Sequence, residues 1–204
     1  MTTQLLNLLA VIGLVACWSA IGLAWLGGAI YYESRSPAER TRRSFVSPTV
    51  ISTIVMVLVL VAVPRADWPS LEVQVAWIRI MGLVILLAAT ALAVWARFTL
   101  GTMWSAAPVV KQEHKLCTSG PYAITRHPIY TGLLGMLMGS MLLAGGGRWI
   151  VPFAVYLVGF EFKIRIEERL MLAEFPNDYP RYRSLVPRLV PGLRLIGTHR
   201  VVSG

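Results

Sequence analysis

Apolar and polar positions divide this chain into five greasy stretches, at about 5–30, 46–64, 75–97, 129–145 and 149–164, separated by shorter polar segments. Each reaches or approaches the roughly 17–25 residues at ~1.5 Å rise that a bilayer-crossing helix needs. The pattern predicts an all-α integral membrane protein with about five transmembrane helices, a long polar loop before the fourth and a polar C-terminal tail. The first stretch lacks a basic leading region and a small-residue cleavage site followed by a polar mature chain, so it reads as a retained helix.

Composition agrees with the pattern: 56% of residues are hydrophobic, only 14% are charged and the mean hydropathy is +0.64, against about 25% charged residues in soluble domains. The length of 204 residues suits one structural domain. Charge then orients the bundle. With the N-terminus outside, sixteen of the 19 Lys and Arg residues fall in the inner loops and tail, and only Arg65, Arg79 and Arg148 lie outside. The positive-inside rule therefore predicts N-out and C-in. The net charge of +9 is accounted for by attraction to anionic lipid headgroups, which leaves a nucleic-acid partner without support.

The two halves differ in character. Residues 1–97 form a three-helix transmembrane part with ordinary loops, including an outer turn at Pro64, Asp67, Trp68 and Pro69. Residues 98–204 hold nearly all the candidate chemistry. A connection of about 30 residues, 98–128, carries Lys111, His114, Leu116, Gly120, Tyr122, Arg126 and His127, and loops of that length are usually functional or disordered. Gly145, Gly146 and Gly147 predict a tight hairpin between the last two spans. Those helices become antiparallel neighbours, which brings Arg126, His127 and Tyr130 to the same inner face as Glu167 and Glu168.

The end of the fifth span reads GFEFKIRIEERLMLAEF. Glu161 with Arg165 and Lys163 with Glu167 are i, i+4 pairs, each worth a few tenths of a kcal/mol on an exposed helix. Ionisable groups this close to hydrocarbon should face the bundle interior or a watered cavity, which makes them site candidates. Single residues also have plainer readings. His127 before Pro128 can simply precede a helix that opens with proline at its first position, Tyr122 and Tyr130 can sit in an interfacial belt, and Tyr179 and Tyr182 can pack the tail. Convergence on one face favours a site. No metal is expected, since His114, His127 and His199 lack ligand spacing, and Cys17 and Cys117 read as structural.

The run GPYAITRHPIYTG, the hydrophobic hairpin after it, the Glu167–Glu168 pair and the tail FPNDYPRYRSLVPRLVP resemble the isoprenylcysteine carboxyl methyltransferase family of integral membrane enzymes, over roughly residues 98–191. Phospholipid N-methyltransferases are similar in broad pattern. The resemblance implies S-adenosylmethionine as cofactor, with Arg126, His127, Pro128, Tyr130, Glu167 and Glu168 in the cofactor region and Lys111, His114 and Leu116 in a covering loop. Arg165 falls near a basic residue that relatives place at the reacting groups, so Arg165 and Glu168 are the catalytic expectations. Pro176 stands where many relatives have glycine. Such a cofactor asks for cationic donors, anionic acceptors and aromatic walls, which Arg126, His127, Glu167, Glu168, Tyr122, Tyr130 and Trp104 supply, while Gly120 and Gly132 permit close backbone approach. The expected acceptor is a lipophilic or lipidated molecule entering from the bilayer, with carboxyl O-methylation favoured. Phospholipid or amine N-methylation, an NADPH-dependent reductase of the membrane sterol-reductase kind and a non-enzymatic scaffold stand as alternatives.

Overall fold

The structure, a computed structural model, describes residues 3–33, 39–42, 54, 71–104, 109–111 and 116–192. Its helices are α1 (Thr3–Glu33), α2 (Ala76–Leu100), α3 (Pro128–Leu143), α4 (Ile150–Glu174) and α5 (Asp178–Leu185). Two of them are long and apolar enough to cross a membrane, over Gln4–Tyr32 and Ala76–Met103. Apolar side chains stand exposed along both, among them Val15, Leu23, Ile30, Val84 and Leu87, the surface expected of helices with a lipid solvent.

The expectation of five spans is met only in part. The stretch 46–64 lies outside the described residues except for Ile54, which is helical. Helix α3 has 16 residues, roughly 24 Å at 1.5 Å per residue, short of a ~30 Å hydrocarbon core. Helix α4 has 25 residues, but carries Glu161, Lys163, Arg165, Glu167 and Glu168 in its second half. A two-stranded ribbon joins the helices: β1 (Glu39–Arg42) pairs antiparallel with β2 (Val109–Lys111), with an irregularity between Glu39 and Thr41. The long loop is thus partly strand, a pairing that short-range periodicity does not reveal.

The closest helix contact is between α2 and α3, and small residues create it. A Cβ added at Gly139 would stand 2.7 Å from the carbonyl oxygen of Gly82 and the nitrogen of Leu86. One at Gly132 would meet the Ala93 Cβ at 2.7 Å and the Ala89 oxygen at 2.8 Å, and one at Gly135 the Ala89 Cβ at 2.7 Å. Backbones approach this closely only where side chains are absent, the packing mode favoured between helices in lipid. Helix α1 completes the core through Ala10, Cys17 and Ile21 against Leu86, Ala89, Ala93, Met136 and Leu143. Trp18 Nε1 donates to Ser140 Oγ at 3.1 Å, a polar tie from α1 to α3.

Polar groups cap both ends of the bundle. At one end, buried Arg79 donates from Nε to the Leu143 carbonyl at 3.1 Å, placing a cation at the C-terminal end of α3 where the helix dipole favours it. The adjoining hairpin turn runs through Gly145, Gly146 and Gly147 with φ of 88°, 80° and 55°, a left-handed run that side chains disfavour. It is pinned by Val73 N donating to the Gly145 carbonyl at 2.8 Å. At the other end Arg97, 1% exposed, lays its guanidinium 4.3 Å from the Trp104 ring centroid, against Gly28 of α1.

Candidate active site

The site is built where the N-terminus of α3, the charged half of α4 and the tail after α5 meet. Pro128 opens α3 at its first helical position, where a missing N–H costs nothing. The residue before it, His127, is kept from helical geometry and adopts φ −125°, ψ 60°. The turn Gly120–Ala123 precedes it, with Gly120 at φ 59° beside Trp95 and Thr99. This geometry directs Arg126 and His127 toward α4.

Glu168 is the centre. Its Oε1 accepts from Arg126 Nε at 3.0 Å and Arg126 Nη2 at 2.8 Å, stands 3.4 Å from His127 Nε2 and 3.8 Å from Arg188 Nε. Burial alone would raise this carboxyl, but the His127 hydrogen bond and the Arg126 charge outweigh it and hold the group down at about 2. Glu168 is therefore a fixed anion at any pH near neutrality. Its neighbour Glu167 accepts from Tyr130 Oη at 2.5 Å and lies 3.7 Å from His127 Nδ1. The Tyr130 ring stacks on Phe160 at 5.0 Å and on His127 at 5.8 Å, with Lys163 Nζ 5.5 Å from its centroid. Two carboxylates, an imidazole and an aromatic wall thus share one small volume.

The tail closes one side. Arg126 N donates to Pro187 O at 2.9 Å and His127 N to Arg188 O at 3.2 Å. Thr131 Oγ1 donates to Leu189 O at 2.7 Å, and Arg126 Nη1 reaches Arg183 O at 3.0 Å and Val186 O at 2.6 Å. Tyr182 Oη donates to Tyr122 O at 2.6 Å. Burial raises the phenols of Tyr122, Tyr179 and Tyr182, so all three stay neutral donors. Arg126→Ala is expected to free the tail, since one side chain satisfies two of its carbonyls; amide hydrogen exchange in 183–189 should rise at least tenfold over the wild type, on the order of 1.4 kcal/mol of lost protection. Unaltered protection would show that the three bonds from Arg126 N, His127 N and Thr131 suffice.

The residues singled out in the sequence divide into three groups. Arg126, His127, Tyr130, Glu167 and Glu168 are brought together, with Pro128 buried beneath them. Tyr122 is buried one layer away against Ala96 and Ile129, and Gly132 faces α2 rather than the carboxylates. Lys111 lies in β2 opposite Glu39, Leu116 is half-buried in irregular chain, and His114 lies outside the described residues. Arg165 points outward, 60% exposed and paired with Glu161 at 2.9 Å. Arg188 was not singled out, yet it links Glu161, at 2.9 Å from Nη1, to the Glu168 neighbourhood. The available signal was one arginine in an otherwise apolar, proline-flanked run, VPRLVP.

The sequence model of the isoprenylcysteine carboxyl methyltransferase (ICMT) family matches residues 81–173. That span takes in most of α2, all of α3, nearly all of α4 and the whole Arg126–Glu168 cluster. Residues 81–173 are thus similar in sequence to the isoprenylcysteine carboxyl methyltransferase family. Among individual relatives, the human protein-S-isoprenylcysteine O-methyltransferase is 31% identical over 133 residues, covering 62% of this chain and 45% of the relative. Protein-S-isoprenylcysteine O-methyltransferase B of Arabidopsis thaliana is 31% identical over 118 residues, 56% of this chain and 60% of the relative. The cobalt-zinc-cadmium resistance protein CzcN of Cupriavidus metallidurans is 33% identical over 100 residues, 48% of this chain and 45% of the relative. The chain thus spans about half the length of the curated relatives it matches. The tail that docks on Arg126 lies beyond the family match.

Proposed function

We propose that this chain is an integral membrane methyltransferase that uses S-adenosylmethionine to methylate the carboxylate of a lipophilic or lipidated acceptor. The observation that carries the reading is the Arg126–His127–Glu168 cluster, an ionised carboxylate buried against a guanidinium and an imidazole inside the segment that matches the methyltransferase family. The names of the human and Arabidopsis relatives point to an isoprenylated cysteine as the acceptor class.

The donor set fits the cofactor. Glu168 keeps one oxygen, Oε2, without a hydrogen bond among the described residues, an acceptor suited to an ammonium. Tyr130, Phe160 and His127 present a stacked wall suited to a flat ring or a sulfonium. The cofactor, when bound, supplies a methyl group on a positively charged sulfur. A carboxylate acceptor loses no proton in taking that methyl, so neither Glu167 nor Glu168 is needed as a base. Their part is to hold the reactants in line within a region screened from water. An amine acceptor would instead need a base, and Glu167 with Tyr130 would be nearest in kind.

The apolar helices α1 and α2 give the acceptor a lateral route from the bilayer, and the predicted N-out, C-in orientation puts the cofactor end in the cytoplasm. Calorimetric titration of the detergent-purified chain with S-adenosylhomocysteine, beside NADPH, tests the reading. Binding of the homocysteine compound alone is expected; binding of NADPH alone would overturn the methyl-transfer reading in favour of a reductase.

A further inference from the structure

The arginine expected among the cofactor's cationic donors is already occupied. Arg126 spends Nε and Nη2 on Glu168 and Nη1 on two carbonyls of the tail. It is a positioning residue that sets Glu168 and seats the segment 183–189. Arg165 is exposed and held by Glu161, and Arg97 stacks on Trp104 at the end of α2 and donates from Nη1 to the Gly101 carbonyl at 3.3 Å. Lys163 lies beneath the Tyr130 ring.

Arg188 differs in where its free N–H stands. Its Nε, like that of Arg97, is buried without a hydrogen-bond partner, but that of Arg188 faces Glu168 Oε1 at 3.8 Å. Only Nη1 is engaged, by Glu161 at 2.9 Å. The side chain as a whole remains 19% exposed although Nε itself is buried, so a ligand meets the guanidinium from its open side. Its backbone is independently fixed, because the Arg188 carbonyl accepts from His127 N. A buried guanidinium N–H without an acceptor is costly unless something accepts from it. Beside it stands a permanent carboxylate whose four contacts all fall on Oε1. A cation with an idle N–H next to an anion with an idle oxygen is complementary to an ammonium and a carboxylate carried on one carbon.

We propose that Arg188 and Glu168 form a clamp for the amino-acid end of the cofactor, with Arg188 donating to its α-carboxylate and Glu168 accepting from its α-ammonium. The inference rests on the methyltransferase reading above and adds to it a residue outside the family-matched segment. It also gives the docked tail a purpose: the backbone bonds from Arg126, His127 and Thr131 bring a specificity-determining arginine to α4.

The test compares two ligands on the full chain in detergent: S-adenosylhomocysteine, which carries the amino-acid end, and 5′-methylthioadenosine, which lacks it. Arg188→Met is expected to weaken the first by roughly 10- to 100-fold, the loss of a charge-assisted fork, and to leave the second unchanged. Arg188→Lys, which keeps a point charge without the fork, should fall between. Equal loss of both ligands in either variant would overturn the clamp, because that is what disturbed tail packing alone produces, and unchanged homocysteine-compound affinity would overturn it as well. A wild type that binds both ligands equally leaves the cofactor reading standing and removes the clamp. A wild type that binds neither removes the cofactor reading too.

Discussion

Glu168→Gln is expected to lose S-adenosylhomocysteine affinity by more than about tenfold and to lower the stability of the end of the bundle where Arg126, His127 and Glu168 meet. The glutamine leaves Arg126, His127 and Arg188 facing a neutral amide, and breaking a buried ion pair by removing one partner costs about 3–5 kcal/mol. The titration behaviour gives a similar size: a carboxyl held at about 2 against an ordinary 4.5 corresponds to on the order of 3 kcal/mol of linkage. The sign follows from the depressed value. The contribution is fully present above pH 4.5 and is lost as pH falls through about 2, so acid should destabilise the wild type across that window and the glutamine variant less. Thermal unfolding in detergent at a series of pH values, with calorimetry at neutral pH, checks both halves. Parallel acid profiles in the two proteins would mean that Glu168 is not the coupled group.

Gly139→Leu should be the most damaging substitution in the membrane-facing part. Its Cβ would fall 2.7 Å from backbone atoms of α2 at Gly82 and Leu86, and backbone in a packed helix cannot swing aside as a flexible side chain can. Helices α2 and α3 would have to separate, with loss of the contacts of Leu86, Ala89, Ala93 and Met136. Overpacking of this kind costs about 3 kcal/mol or more. Gly22→Ala is the control, since a Cβ there meets nothing within 4 Å; alanine in a helix interior should be neutral or stabilising by about 0.5–1 kcal/mol. Thermal melts of the two variants should therefore move apart. A leucine variant that melts with the wild type would rule out the close α2–α3 contact.

Much of the candidate site was legible beforehand. Arg126, His127, Tyr130, Glu167 and Glu168 could be grouped because a glycine hairpin makes its flanking helices neighbours, and because ionisable groups beside apolar runs need one another. The Glu161–Arg165 pair likewise followed from i, i+4 spacing and is present at 2.9 Å. Gly132 read as a place of close approach, and it is one, but the approaching backbone is that of α2. Glycine spacing shows that something comes near without saying what.

The chain's own order of residues determined the long apolar helices, the left-handed turn at Gly145–Gly147 and the kinds of charge assembled at one end, since these depend on neighbours within a few positions. Which arginine is fully engaged and which keeps an idle N–H was decided only by the tertiary structure. Arg126 and Arg188 are chemically alike, and 62 positions apart in the numbering nothing local distinguishes them. The difference arises when the tail folds back and its carbonyls meet the Arg126 guanidinium. That meeting is a long-range backbone contact, fixed by where α4 and α5 return the chain, and no short window of sequence encodes it.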